Sequence, residues 1–278
     1  MTLTPLQLQL SLQEQGVLVK KTTDNLEAYD AFLRGQELLF RAFYEINKDA
    51  NVQARGMFER AIALDPHYAQ AYSQLARAYF LDWFYSWKRT SQILEQAAKL
   101  AQQAITLDES LAASHAVLGN VYLWKKQHDL AIHEAGRAIA LDPNDAEGYV
   151  TLGNILGFAG RPEEGIKMVE QAMRLNPRYP VFYLGNLGVA YRLAGRYEEV
   201  IATAKKVLTR QPNFPPAYFM LAFSYAQLDR LEEARAAAAE LQRLNPSFSL
   251  EMWKQMAPFK DPAMLERDLV ALRKAGLK

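Results

Sequence analysis

The sequence predicts an all-α, right-handed solenoid of about six helix–turn–helix repeats, closed by a C-terminal helical cap. The phrase AIALDP occurs at residues 61–66 and again at residues 138–143. Four prolines that follow Asp, Asn or Gln, at positions 143, 177, 212 and 246, are 34, 35 and 34 residues apart. Small residues also recur at fixed places within each period. A constant period of this length is typical of stacked repeats that share one continuous core.

Composition excludes several classes of function. The 278 residues carry a net charge of +1 and include no cysteine. We therefore expect no nucleic-acid partner, because binding to phosphates needs a strongly basic surface. Disulfides and thiolate metal sites are ruled out. No apolar run approaches the roughly 18–20 residues that span a bilayer, and the N-terminus does not resemble a signal peptide. We therefore predict no membrane span and a cytoplasmic location.

The first segment, residues 1–26, is predicted to be a helical lead-in. LQLQLSLQ at residues 6–13 alternates as a strand would. Thr4-Pro5 at its start and Gly16 at its end favour a helix instead. The leucines of such a helix would need cover from the first repeat or from another chain.

The repeats occupy residues 27–246, and we expect two of them to be irregular. The first has about six or seven extra residues between Leu33 and Ala54, which indicates longer helices or a longer turn. The second has an insertion at 80–91. The predicted units lie near residues 27–66, 69–109, 112–143, 146–177, 181–212 and 215–246. Residues 247–278 form the cap, with helices at 249–256 and 262–275 separated by PFKDP.

Residue types within a unit have physical reasons. Small residues such as Gly119, Gly153 and Gly188 allow the two helices to approach closely. Acidic pairs such as Glu163-Glu164 open the second helix, where the helix dipole favours negative charge. The terminal proline forces its predecessor out of helical geometry and ends the unit.

These positions together resemble the tetratricopeptide repeat. With Pro143 counted as position 32, Leu118-Gly119 occupy positions seven and eight, and Tyr122, Ala131 and Ala138 occupy positions 11, 20 and 27. The segments TDNLEAYDAFLRGQ and YLWKKQHDLAI, with the C-terminal ending, resemble more narrowly the C-terminal repeat region of bacterial class III adenylate/guanylate cyclases and TolB-like sensor proteins. That resemblance implies a regulatory or sensory arm, or a stand-alone relative.

The family resemblance implies a non-catalytic scaffold that binds a protein or peptide in a concave groove lined by the first helix of each repeat. An Asn pair one repeat apart could hold a peptide backbone, because its amides both donate and accept hydrogen bonds. The same asparagines could instead be internal struts between helices. Lysines that clamp a C-terminal carboxylate in some family members are replaced here by Ala113, Ala116, Glu147 and Val150. The candidate groove residues are Arg77, Asn120, Trp124, Asn154, Phe158 and Arg192.

The insertion contains an aromatic cluster, which we predict to be a second candidate interface: Trp83, Phe84, Tyr85 and Trp87. Three interpretations stay open. The rings could fill the core of a longer helix pair, form a partner or self-association surface, or bind a small aromatic or lipid-like ligand.

Catalytic and metal-binding patterns are missing from the sequence. His128 and His133 are five residues apart, a poor helical spacing for two ligands of one metal, and there is no phosphate-binding glycine loop. We therefore predict no enzyme activity, no metal and no cofactor. The alternatives to a peptide-binding scaffold are a regulatory arm of a cyclase-type signalling protein and a self-association module.

Overall fold

The computed structural model describes residues 22–88 and 90–278, and within them every regular element is an α-helix. The predicted lead-in helix therefore lies outside the described residues, apart from residues 22–26. The helices are α1 Leu26–Tyr44, α2 Lys48–Leu64, α3 Ala69–Phe84, α4 Ser91–Leu107, α5 Ala112–Trp124, α6 His128–Leu141, α7 Ala146–Phe158, α8 Pro162–Leu175, α9 Val181–Leu193, α10 Tyr197–Arg210, α11 Pro215–Gln227, α12 Leu231–Leu244, α13 Leu250–Met256 and α14 Pro262–Lys274.

The chain divides into two compact units, and the boundary between Val121 and Tyr122 falls inside α5. In the first unit α1 packs on α2, α2 on α3 and α3 on α4. In the second unit each helix from α6 to α11 packs on the next. Helices two apart in sequence, α7 with α9 and α9 with α11, also touch. These consecutive packed pairs confirm the predicted helical-repeat fold.

Helix lengths explain where the irregular repeats store their extra residues. In the repeats after residue 111, the first helix has 13 residues and the second has 14. In the second repeat α3 and α4 are longer, with 16 and 17 residues. In the first repeat α1 and α2 reach 19 and 17 residues, while their connection, residues 45–47, keeps the usual length. The surplus of the first repeat therefore lengthens its helices and leaves its turn unchanged.

The repeats end where their local sequence requires it. Asp142 and Asn176, each followed by proline, adopt non-helical backbone at the ends of α6 and α8. The clash with the proline ring disfavours helical geometry at that position. Within a repeat, the middle residue of the turn is left-handed, with φ of +85° at Gly160 and +76° at Gly195. Glycine adopts this geometry without strain, and it ends the first helix.

Close helix crossings occur where the sequence places glycine. A Cβ added to Gly153 in α7 would lie 2.8 Å from the carbonyl oxygen of Gly165 in α8. A Cβ at Gly165 would lie 2.5 Å from the carbonyl oxygen of Gly153. The backbones of α7 and α8 are thus nearly in contact, and a side chain at either position would push the helices apart.

The C-terminal segment, residues 249–278, packs on the last repeat. It consists of α13, the linker 257–261 and α14. The side chains of Ser249 and Asp261 cap the two helices by accepting hydrogen bonds from backbone N–H groups of the first turn. Helix α14 contacts α11 and α12, and its Leu269 and Leu272 enter the same core as α11 and α12. The amide of Leu250 donates to the carbonyl of the last residue, Lys278, at 2.9 Å.

Candidate functional site

The candidate site lies on the surface formed by the first helices of the repeats in the second unit, called here the A-helix face. Trp124 is the last residue of α5 and Phe158 the last of α7, and their ring centroids are 6.3 Å apart. Arg192 is the penultimate residue of α9. The repeat therefore brings three of the predicted groove residues to equivalent helix ends within this unit.

Arg192 lies in an aromatic cage. Its guanidinium carbon is 5.5 Å from the ring centroid of Phe219 and 5.4 Å from that of Phe223, both on α11. It is also 5.9 Å from Trp253 and 5.7 Å from Phe259, which belong to the C-terminal segment. The faces of aromatic rings attract cations, and more strongly when water is excluded. Only 1% of the Arg192 surface is exposed.

The charge of Arg192 is matched by Asp268 from α14. The guanidinium donates to the Asp268 carboxylate, which also accepts from the indole N–H of Trp253 at 3.3 Å. Burial raises the pKa of Asp268, while the charges of Arg192 and Arg267 oppose this shift. Burial also lowers the pKa of Arg192, but guanidinium stays protonated at neutral pH because its intrinsic pKa is so high. The side chain of Arg267 donates to the backbone oxygen of Arg192 at 3.2 Å.

The non-helical linker 257–261 crosses the same face. The backbone N–H of Lys260 donates to the carbonyl of Phe158 at 3.0 Å. The Nε2 of His128 lies 2.8 Å from the carbonyl oxygen of Pro258, so Nε2 carries the proton, because a carbonyl can only accept. Phe259 packs edge-on against Phe158, with ring centroids 5.3 Å apart. The Nζ of Lys260 lies 3.2 Å from the carboxylate of Asp129.

The C-terminal segment therefore contacts two of the predicted groove residues of the second unit, Phe158 and Arg192. Trp124, Phe158 and Arg192 are all buried. A partner can contact Arg192 or Phe158 only if the linker moves. The role of all three in partner binding stays a prediction, and the structure adds that the C-terminal segment packs against Phe158 and Arg192.

The two predicted asparagines lie at the same repeat position but belong to different units. Asn120, in the first unit, donates from its side-chain amide to the carbonyl of Ala116 in its own helix, at 3.2 Å. Asn186 makes the same bond to Phe182, at 2.9 Å. Because this bond of Asn120 stays within its own helix, it does not connect that helix to a neighbouring one. Asn154, in the second unit, is half-buried. Peptide binding by these asparagines stays a prediction.

The other predicted residues of the first unit lie in α3 or directly after it. The guanidinium of Arg77 lies 5.5 Å from the ring centroid of Phe43. The hydroxyl of Tyr85 donates to the carbonyl of Phe43 at 3.1 Å, and burial raises its pKa. Trp83 lies in the core, with 7% of its surface exposed. Phe84, Tyr85 and Trp87 are half-buried, so the insertion supplies core through Trp83 and partly exposed rings beyond it.

Sequence reasoning missed two buried acids. Asp82, inside the aromatic insertion, accepts from the Asn51 side chain at 2.8 Å and pairs with Arg55 at 2.8 Å. Asp268 lies on the same helical side as the apolar Leu265, Leu269 and Leu272. An acid within an apolar stripe is a signal that could have indicated a buried ion pair, but it could not name Arg192 as the partner.

No helix among the described residues has both the length and the apolarity to cross a membrane. In the same part of the chain, no three His, Asp or Glu side chains come together as metal ligands would.

Helix pairs of this length, stacked at this period, define a helical-repeat protein of helix–turn–helix units. Two models of the tetratricopeptide repeat match the chain, over residues 150–215 and 191–256. The chain therefore contains tetratricopeptide repeats over residues 150–256, as the spacing of its prolines and small residues predicts.

Three solved structures share the fold. The chain is 22% identical to PilW, a type IV pilus biogenesis factor, with a TM-score of 0.56 over 74% of this chain and 90% of PilW. A chain of the APC/C hetero-tetramer Cut9–Hcn1 is 18% identical, with a TM-score of 0.63 over 94% of this chain and 48% of that one. PilF of Pseudomonas aeruginosa is 17% identical, with a TM-score of 0.54 over 81% of this chain and 96% of PilF. At these identities the similarity concerns the fold alone.

A relative by sequence is found among nucleotide cyclases. The chain is 34% identical over 108 residues to a protein of Rhizobium meliloti (strain 1021) provisionally named adenylate cyclase 3. The match spans 38% of this chain and only 18% of that protein. It agrees with the narrower family resemblance in the sequence, and it covers too little of the cyclase to assign its activity.

Proposed function

We propose that this chain is a non-catalytic scaffold that holds an extended segment of a partner protein on its A-helix face. The tetratricopeptide-repeat fold is that of protein- and peptide-binding scaffolds. One observation of this structure carries the finer proposal: a short non-helical stretch of polypeptide, the linker 257–261, already lies on this face.

The linker illustrates how the face can hold a peptide. Two of its contacts use the main chain, the Lys260 N–H to the Phe158 carbonyl and the Pro258 carbonyl to His128. Main-chain contacts give affinity without demanding a particular sequence, and a side-chain pocket such as that around Phe259 adds specificity. We propose that Asn154 contributes a further main-chain contact on this face, and that Asn120 and Arg77, which belong to the first unit, are also partner-binding residues.

The test is partner capture on the full chain, with identification by mass spectrometry. Replacing Asn154 by Ala should weaken capture about threefold to tenfold, because one neutral hydrogen bond contributes about 0.5–1.5 kcal/mol. Asn144→Ala is the matched control, since Asn144 is exposed in the loop before α7. Equal capture by both variants would contradict the use of this face. A lowered melting temperature with unchanged capture per folded molecule would identify Asn154 as an internal strut.

A second candidate function is a regulatory arm of a cyclase-type signalling protein. The identity to the Rhizobium meliloti protein favours it, and control of an attached cyclase is compatible with binding on the A-helix face. Sequencing the gene upstream of codon 1 tests it. A nucleotide-cyclase domain in the same reading frame supports the arm, and a stop codon in that frame before any such domain argues against it.

Self-association is the third reading, and the half-buried rings of the insertion are its candidate surface. Light scattering of the purified chain over a range of concentrations tests it. A single monomeric mass up to about 100 µM would exclude a dimer with a Kd in the micromolar range. A cytoplasmic location stays a prediction from the sequence.

A further inference from the structure

We propose that the linker 257–261 is a built-in competitor, and that the partner of this face is an extended peptide in which an aromatic residue is followed by lysine. This inference rests on the proposed function, because it names the partner class for the same face. The chemistry of the linker, and of the residues that hold it, determines what such a partner must present.

The first requirement is an aromatic side chain. Phe259 lies between Phe158, at a centroid distance of 5.3 Å, and Trp253, at 6.3 Å. The guanidinium carbon of Arg192 lies 5.7 Å from its ring centroid. Edge-on rings and a desolvated cation both favour an aromatic ring over an aliphatic side chain of the same volume. A partner residue that replaces Phe259 should therefore be aromatic.

The second requirement is positive charge directly after the aromatic residue. Lys260 pairs with Asp129, and both side chains are well exposed, at 53% and 91%. An exposed pair adds little affinity. It does distinguish lysine from glutamate, since like charges facing each other repel. The pair lies at the solvent edge of the face, where an incoming chain would first meet it.

The linker can leave without unfolding the C-terminal segment. Helix α14 stays anchored by the Arg192–Asp268 ion pair and by Leu269 and Leu272, all buried. Only Ala257, Pro258 and Phe259 of the linker are buried. As long as the linker covers the face, the apparent affinity for a peptide added in trans falls by the fraction of molecules in which the face is open. Weakening the linker should therefore strengthen binding of the peptide.

The experiment uses the full chain and a fluorescein-labelled synthetic peptide with the sequence of residues 254–264, KQMAPFKDPAM. Fluorescence anisotropy measures its Kd. Phe259→Ala in the protein should tighten peptide binding at least tenfold relative to the parent chain. Phe182→Ala is the matched control, because this half-buried phenylalanine lies near the start of α9 and packs against Tyr183. It should leave the Kd unchanged.

The peptide itself carries the specificity test. Replacing its phenylalanine by alanine should abolish measurable binding to the Phe259→Ala protein. Replacing the lysine that directly follows this phenylalanine by glutamate should weaken binding severalfold, and Asp129→Lys in the protein should restore binding. Circular dichroism establishes that each protein variant is folded.

A second measurement uses the parent chain without substitution. The amide of Lys260 is protected by the Phe158 carbonyl, so saturating peptide should speed its hydrogen exchange while the amides of α14 stay protected. The inference is overturned if Phe259→Ala binds the peptide no better than the parent, if the peptide needs no aromatic residue, or if Lys260 exchange is unaffected by bound peptide. In those cases a loss of capture by Asn154→Ala would still support the proposed function. Equal capture by Asn154→Ala and Asn144→Ala would count against the proposed function, whatever the peptide does.

Discussion

At the residue scale, the buried Arg192–Asp268 pair dominates the second unit. Both groups have lost their water, and each is stabilised by the other and by the surrounding aromatic rings. Desolvation of two charges offsets most of their attraction, so such a pair adds little net stability. It does become costly when one partner is lost, because the remaining charge is buried and unpaired.

We predict that Asp268→Leu lowers the free energy of unfolding by about 3–5 kcal/mol. The double variant Arg192→Met/Asp268→Leu should recover most of this loss, since apolar side chains of similar volume replace the pair. Chemical denaturation followed by circular dichroism measures both. If the double variant is no more stable than Asp268→Leu, the cost comes from the shape of the site and the ion pair has no part in it.

At the element scale, the distance between paired helices depends on individual glycines. The Cβ of Gly153→Ala would meet the backbone oxygen of Gly165, which cannot rotate away as a side chain could. The helix pair α7–α8 must then separate, and its packing against α9 changes with it.

We predict that Gly153→Ala destabilises the chain by about 1–3 kcal/mol through overpacking. Gly136→Ala in α6 is the matched control, because the Cβ it would add meets no described atom within 4 Å apart from its chain neighbours and the backbone of its own helix. That control should stabilise by roughly 0.5–1 kcal/mol, the helical advantage of alanine over glycine. Denaturant midpoints compare the two. A Gly153→Ala midpoint at or above that of the parent would show that the crossing is looser than described.

At the scale of the whole molecule, the C-terminal segment has two structural roles in the second unit. It covers the apolar surface of the last repeat through Leu269 and Leu272, as the end of a repeat array requires. Through the linker it also extends along the A-helix face to Phe158 and reaches His128 at the start of α6.

We predict that a chain ending at Ser247 is destabilised by at least about 3 kcal/mol, because Arg192 would lose Asp268. Limited proteolysis should cut the second unit of this shortened chain at lower protease concentration than the parent. Lys278→Ala is the control, since it changes only the last side chain. Unchanged proteolysis of the shortened chain would show that the C-terminal segment contributes nothing to stability.

Most of the helix boundaries could be predicted from the sequence, because they depend on neighbouring residues. Pro143 and Pro177 end α6 and α8 through a clash with the residue before them, and Gly160 and Gly195 turn the chain because they tolerate positive φ. The period of the prolines was enough to identify the tetratricopeptide fold, since each repeat makes its contacts mainly with its neighbours.

The occupancy of the A-helix face was decided by the tertiary structure. Repeat positions placed Trp124, Phe158 and Arg192 on that face. The repeat pattern does not show which residues from outside the repeats contact them. Asp268 is 76 residues from Arg192 in sequence, and no local pattern couples them. The two meet because the aromatic cage buries the guanidinium, and a buried charge is stable only beside its counter-charge. The sequence by itself determined where the helices begin and end. The desolvation of Arg192, which requires a counter-charge, decided which part of the chain packs on the A-helix face.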